Sequence, residues 1–330
     1  MPLNSVLRAF NFKPRSSAAS KCRVGLLGAG RMGQFHAKLL SQSSGAVFVG
    51  IADLDFEKGQ HLAKKLRTQA FREPSDLLDK VDAVIIATPT STHLPLGKLF
   101  LGQGISCLIE KPIASSIVEA DTLIALAQQH KAILQVGHIE RFNPAVIEAA
   151  RHIQTPLFIE VNRLGPYDPR VADIGVVMDL MIHDLDIVLF LVGEPVTRVE
   201  AFGAKVLSDH EDIAKVRLHF KGGCIADLSA SRISMERYRR IRVFQKNAYL
   251  SLDYAAPDLK IYRAKKTPVQ SLAHIELMRP RLSKKDPLTL EQEHFLTCVR
   301  ERKTPLVSGE HGREALQLAQ DVLKNLQVHA

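Results

Sequence analysis

From Cys22 onward, short apolar runs alternate with amphipathic stretches. CRVGLLG (22–28), AVFVGIAD (46–53), DAVIIAT (82–88), ISCLIE (105–110) and AILQVG (132–137) are the apolar runs. Their near-continuous hydrophobicity suits strands covered on both faces. Between them lie helical periods such as SIVEADTLIALAQQH (116–130), where Ala120, Leu123, Ile124 and Ala127 share a face. Ser116 and Glu119 at its start read as a capping box. A further helix is expected over 55–66. Strands alternating with helices of this length predict a parallel sheet, doubly wound.

After about residue 155 the pattern changes. PLFIEVNRLG (156–165), VTRVEAFGAKVL (196–207), DIAKVRLHF (212–220), CIADLSASRI (224–233) and RIRVFQKNAYLSL (240–252) are strand-like and follow one another, with KGG (221–223) as a hairpin turn. A helix over 175–192 sits inside the series. The segment 264–286 is basic and aperiodic, and reads as a long loop. Helical stretches over 287–302 and 310–327 close the chain, the second with Ala315, Leu318, Ala319, Val322, Leu323 and Leu326 on one face. The fold class is therefore α/β plus α+β: an N-terminal Rossmann doubly wound parallel sheet, then an open, mostly antiparallel sheet domain. The expected boundaries are a tail over 1–21, a nucleotide-binding domain over 22–142 and a substrate-binding and oligomerisation domain over 143–330.

Composition narrows the function classes. A chain of 330 residues is long enough for two cores, and 46% hydrophobic with 24% charged residues is an ordinary globular balance. No apolar run is long enough to span a bilayer, so a soluble, cytoplasmic protein is expected. Cys22, Cys107, Cys224 and Cys298 are far apart and read as isolated reduced thiols, with no metal site built on them. The net charge of +9 is spread along the chain. Its densest cluster, ERYRRIRVF (236–244), reads as a solvated strand face, so an anionic small substrate is expected rather than a nucleic acid. The basic stretch 1–22 lacks the apolar core of a secretion signal, and a targeting role for it stays open.

Two stretches carry chemistry. The first strand runs into GAGRMG, with Gly28, Gly30 and Gly33 at G-x-G-x-x-G spacing and Arg31 and Met32 completing the loop. Gly28 permits the tight turn, Gly30 the approach of a pyrophosphate, and Gly33 close helix–strand packing. Asp53, at the end of the next strand, is placed to bind the ribose hydroxyls of NAD and to repel the extra phosphate of NADP. The alternative for Asp53 is a helix cap. The second stretch is VMDLMIHDLDIV (177–188), in which Asp179, His183 and Asp186 form one polar stripe on an otherwise apolar helix. Charged groups in such surroundings are paired or working. A metal on this stripe is not expected.

GLLGAGRMG (25–33), ATPTSTH (87–93), EKP (110–112) and DLMIH (179–183), in that order, resemble the glucose-fructose oxidoreductase/inositol dehydrogenase/MocA family. The resemblance extends to PLVSGEHGREALQLA (305–319). It implies an NAD-dependent oxidoreductase with its active site between a Rossmann domain and an open sheet. The alternation in 212–252 predicts that this sheet leaves one face uncovered, to be buried against a copy of itself in a homodimer or homotetramer. It places Lys111 beside the nicotinamide, with Lys111–Pro112 often cis. Thr88, Pro89, His93 and Glu110 then line the nicotinamide side, and Asp179 and His183 fall on the family's D-x-x-x-H pair. Met181 stands where glycine is common, which narrows the pocket. His183 is favoured over Lys111 as the base.

QVGHIERFNPAV (135–146) and GVVMDLMIHDLDIVL (175–189) look closer to the nucleotide-sugar branch, specifically to UDP-N-acetylglucosamine 3-dehydrogenases, which supply a 3-keto sugar to an aminotransferase in lipid A diamino sugar synthesis. A UDP-sugar needs cationic contacts, for which Arg163 and Arg170 are candidates, with Arg141, Asn143 and Asp186 also expected at the substrate. The alternatives are a dehydrogenase of a free cyclitol or monosaccharide such as myo-inositol, and a non-catalytic NAD-sensing regulator.

Overall fold

A computed structural model describes residues 21–169 and 174–329. The chain forms two compact units, and neither is one continuous stretch.

The first unit runs to Ile139 and takes up Asp286–Leu316 again later. It alternates β1 (Cys22–Leu27), α1 (Arg31–Gln42), β2 (Ala46–Ala52), α2 (Phe56–Leu66), β3 (Gln69–Phe71), β4 (Ala83–Ile86), α3 (His93–Leu101), β5 (Ser106–Glu110), α4 (Ile117–Gln129) and β6 (Leu134–Gly137). The six strands lie in the order β3-β2-β1-β4-β5-β6, all parallel. That is the doubly wound order, and it reverses direction beside β1, where such sheets open a crevice at their strand ends. β4, β5 and β6 are buried at every residue, which is why each reads as an unbroken apolar run. Two local details differ from expectation. The capping box of α4 is offset: Ser116 accepts from Glu119 N, but the Glu119 carboxylate accepts from Ser115 N rather than Ser116 N. The short edge strand β3 had no sequence signal.

The second unit holds Glu140–Lys285 and the chain from Gln317 onward. It contains α5 (Pro144–Ala150), β7 (Pro156–Leu164), a π-turn over Val177–Met181 leading into α6 (Ile182–Val192), then β8 (Val196–Ala204), β9 (Ile213–Phe220), β10 (Ile225–Ser231), β11 (Tyr238–Gln245), β12 (Ala248–Asp253), β13 (Asp258–Ala264) and β14 (Ile275–Met278). The closing elements are α7 (Pro287–Glu301), α8 (Gly309–Asn325) and β15 (Leu326–His329). The nine strands lie in the order β14-β13-β12-β11-β7-β10-β9-β8-β15. All pairs are antiparallel except β7 with β10 and β15 with β8. Gly223, at φ +87°, closes the expected hairpin between β9 and β10. The run 240–252 is not one strand but the hairpin β11–β12, turned at Asn247 in the left-handed region at φ 63°. β14 lies inside the stretch read as loop.

One face of this sheet is closed by Ile159, Val161, Val216, Leu218, Ile241, Val243 and Leu250. The other carries a row of rings across four strands, Phe158, Phe244, Tyr249 and Tyr262, with successive centroids 6.0, 4.9 and 5.3 Å apart. Arg242–Glu160 and Arg217–Asp227 ion pairs flank it.

The boundary expected at 143–330 is corrected by α7. Its Phe295, Leu296 and Val299 pack with Val24 and Leu26 of β1 and Ala37 and Leu40 of α1. The apolar stripe of α7 is thus buried in the first unit, where it completes the core behind β1.

Candidate active site

The glycine loop follows β1 directly. Gly28 takes φ +97°, a conformation in which a side chain would also strike the Ala87 carbonyl. A Cβ on Gly33 would strike the Gly28 carbonyl, so the third glycine lets α1 pass close to the loop. Gly30 faces open space, with nothing within 4 Å of a Cβ there. It is also the N-cap of α1, with no side chain capping it and no acidic residue in the first turn. The helix therefore presents amide donors and its positive dipole end without a competing anion.

Asp53, at the end of β2, spans the gap to this loop. Its Oδ2 accepts from Ala29 N at 2.5 Å and its Oδ1 from Asp55 N at 2.8 Å. The cap of α2 is instead Asp55, which accepts from Lys58 N. Each Asp53 oxygen keeps a second lone pair, as a ribose diol requires. Open loop, uncapped helix and oriented carboxylate together fit a dinucleotide.

The ends of β4 and β5 carry the next group. The His93 ring lies between two carbonyl oxygens, Nε2 at 3.0 Å from Thr88 O and Nδ1 at 3.0 Å from Pro112 O. Burial lowers its pKa while the two carbonyls oppose that shift. His93 thus ties the turn after β4 to the turn after β5, and Thr92 Oγ1 adds contacts of 2.7 Å to Thr88 Oγ1 and Pro89 O. Lys111 follows β5, and Lys111–Pro112 is cis. Glu110 accepts from the Lys111 amide at 3.3 Å and lies 2.8 Å from His36 Nε2.

Asp179 and His183 belong to the second unit. The segment before α6 is anchored by Glu211, whose carboxylate accepts from Val177 N at 3.1 Å and occupies the space a side chain on Gly175 would need. The turn that follows is a π-turn, closed from Ile182 N to Val177 O. A turn widened by one residue sets positions four apart more nearly over one another. Asp179 lies on this turn and His183 just past it in α6, both half-buried, whereas Asp186, further along α6, is wholly buried. The expected three-residue stripe is therefore split. His183 and Asp186 share α6, three residues and so about 60° apart around its axis, and Asp186 points into the core.

There Asp186 meets Arg141 in a bidentate pair, with Nε–Oδ2 and Nη2–Oδ1 both 2.8 Å. Arg163 forks onto Asp184 at 2.7 and 2.8 Å and reaches Glu140 at 3.2 Å. Burial works against the Arg163 charge, but Asp184 and Glu140 outweigh it and hold the guanidinium above its ordinary value. Asn143 caps α5, accepting from Ala145 N and donating to Glu140. Arg141, Asn143 and Arg163 are 2%, 2% and 3% exposed. Their polar groups, and Asp186, are thus engaged inside the unit, which corrects the expected role of Arg163 at a substrate diphosphate and of Arg141, Asn143 and Asp186 at the substrate. Tyr254 lies buried beside them, with its ring 5.5 Å from the Arg163 guanidinium. Arg170 lies outside the described residues.

One cation was missed. Arg239 pairs across strands with Arg163 on the covered side of the sheet, and no ion pair to it is found among the described residues. Burial first, and then the Arg163 charge, lower its pKa. The alternation Arg239, Ile241, Val243 was the available signal, because it sets Arg239 on the buried side of β11 rather than on the solvated face.

Comparison with known proteins agrees with this anatomy. Residues 22–138 match the model of an oxidoreductase family with an NAD-binding Rossmann fold, and residues 156–251 match the C-terminal domain of the same GFO/IDH/MocA family. The chain is 37% identical over 301 residues to UDP-N-acetylglucosamine 3-dehydrogenase of Acidithiobacillus ferrooxidans, covering 91% of this chain and 96% of that one. A crystal structure of that enzyme superposes with a TM-score of 0.87 at 36% identity, covering 93% and 98% of the two chains. Identity to the NAD-dependent scyllo-inositol 2-dehydrogenase of Bacillus subtilis is 30%, over 87% of this chain and 88% of that one. No helix among the described residues is long and apolar enough to cross a membrane. The chain belongs to the GFO/IDH/MocA family of NAD-binding oxidoreductases.

Proposed function

We propose that the protein oxidises the C3 hydroxyl of UDP-N-acetylglucosamine to the 3-keto sugar. The observation that carries the reading is the 37% identity, over 91% of the chain, to an enzyme of that activity, against 30% to an inositol dehydrogenase. NAD, held by Gly28, Gly30, Gly33 and Asp53, supplies the hydride acceptor. His183 takes the hydroxyl proton, and Asp179 orients the imidazole and favours its protonated form. Lys111 stabilises the developing alkoxide as a cation. Arg239 replaces Arg141 and Arg163 as our candidate for the diphosphate, since no ion pair to it is found among the described residues. A 3-keto sugar is the substrate an aminotransferase needs, which suits a place in lipid A diamino sugar synthesis.

The test is NADH formation from NAD⁺ with UDP-N-acetylglucosamine, N-acetylglucosamine and myo-inositol in parallel. A glutamate-dependent aminotransferase is added to draw off the ketone where the equilibrium is unfavourable. Turnover of the UDP-sugar alone is expected; turnover of myo-inositol without it would overturn the reading in favour of a free-cyclitol dehydrogenase.

Self-association belongs to the same reading. The ring row on the open sheet face is apolar and flanked by charges, as a surface made for a second copy would be. Light scattering is expected to give a dimer or tetramer that Phe244→Glu dissociates. An unchanged mass for that variant would place the interface elsewhere.

A further inference from the structure

His36, on α1, is fully buried, and its contacts fix its state. Gln292 of α7 brings its amide nitrogen to 2.7 Å from His36 Nδ1 and 3.2 Å from the His36 carbonyl oxygen. The carbonyl requires a donor, so the amide nitrogen, not its oxygen, faces the histidine. Nδ1 therefore accepts, the ring proton sits on Nε2, and Nε2 donates to Glu110 Oε1 at 2.8 Å. The second Glu110 oxygen accepts the Lys111 amide at 3.3 Å. Gly137, paired with Glu110 across β5 and β6, leaves room for this carboxylate: a Cβ there would stand 2.9 Å from Oε2.

Glu291, beside Gln292, places a carboxylate oxygen within 4.8 Å of ligand atoms of His36 and Glu110. It is fully buried, and neither oxygen has a hydrogen-bond partner among the described residues. Burial first, and then the Glu110 charge, push its carboxyl well above the ordinary range. A histidine and two carboxylates could in principle hold a cation. Here the Nδ1 lone pair is taken by Gln292 and Nε2 carries the proton shared with Glu110, so neither nitrogen offers a lone pair to a metal.

We propose that His36 and Gln292 are positioning residues for Lys111, acting through Glu110. The helix that opens at the glycine loop is thereby linked through one hydrogen-bonded chain to the residue after β5. Glu291 fills the remaining space beside His36 and Glu110. The inference rests on Lys111 being a catalytic group of the proposed reaction.

The experiment compares His36→Leu, which removes the donor to Glu110, with His36→Gln, which restores an amide donor. Gly137→Ala is a third variant that crowds the carboxylate without touching the histidine. Each is read for kcat, KM, NAD affinity by calorimetric titration, and the rate at which Lys111 is reductively methylated, followed by mass spectrometry. His36→Leu and Gly137→Ala are expected to lower kcat by about tenfold or more, with KM and NAD affinity within about twofold of the parent. The Lys111 methylation rate changes with them, and His36→Gln recovers most of both. A parallel loss of kcat and NAD affinity in every variant, or a Lys111 methylation rate unaffected by His36→Leu, overturns the proposal. If the parent oxidises no UDP-sugar, the functional reading fails, and the methylation rates still decide this one by the same criteria.

Discussion

Replacing His183 with alanine is expected to lower kcat on the sugar nucleotide by about 10²–10⁴-fold, the range a positioned proton acceptor contributes. The residue is half-buried in the first turn of α6, just past a π-turn that carries Asp179 four positions earlier. π-turns are frequent at functional sites because the widened turn re-aims side chains. NAD affinity should not change, because the glycine loop and Asp53 belong to the other unit. Calorimetric titration of NAD beside steady-state kinetics separates the two effects. A variant retaining more than about a tenth of the parental kcat would remove His183 as the base and leave that role to Lys111.

The second large effect is on stability. Arg163→Ala is expected to cost about 3–5 kcal/mol, because it strands Asp184 and Glu140 in the interior. Denaturant unfolding measures the loss. The double change Arg163→Met with Asp184→Leu should lose less than Arg163→Ala, since Asp184, one of the two stranded carboxylates, is then removed along with its partner. Acidification separates the cases further. Burial already raises the Asp184 pKa against the pull of Arg163; in Arg163→Ala that opposition is gone, so folding takes up a proton at Asp184 and the variant's deficit shrinks as pH falls. A deficit that grows on acidification, or one below about 1 kcal/mol, would show that the pairs contribute little.

Much of the first unit is legible because its signals are local. A strand, a glycine loop and an acid at the end of the next strand lie within about thirty residues, and each obeys a backbone rule that the letters state. The features that escaped depend on partners far along the chain. Arg141 and Arg163 look like free cations in sequence; only the fold shows that Asp186 and Asp184 lie opposite them. The β11–β12 turn was hidden because Asn247 takes the left-handed conformation without a glycine or proline beside it. The π-turn was invisible because a single added residue leaves the hydrophobic period almost intact while rotating all of α6, His183 and Asp186 included, relative to Asp179. α7 has an ordinary amphipathic pattern, which says that it docks but not on which unit.

That docking has a consequence for the order of events during synthesis. The segment Asp286–Leu316 is made after the whole nine-stranded sheet except β15, yet Phe295, Leu296 and Val299 complete the core behind β1. An emerging chain that has reached residue 142 carries every strand of the parallel sheet with part of its apolar surface uncovered, and it must wait for roughly 150 further residues, some 8–30 s at ordinary elongation rates. A fragment cut at the apparent domain border should therefore aggregate where the full chain does not, and adding a separate peptide spanning 286–316 should restore its solubility.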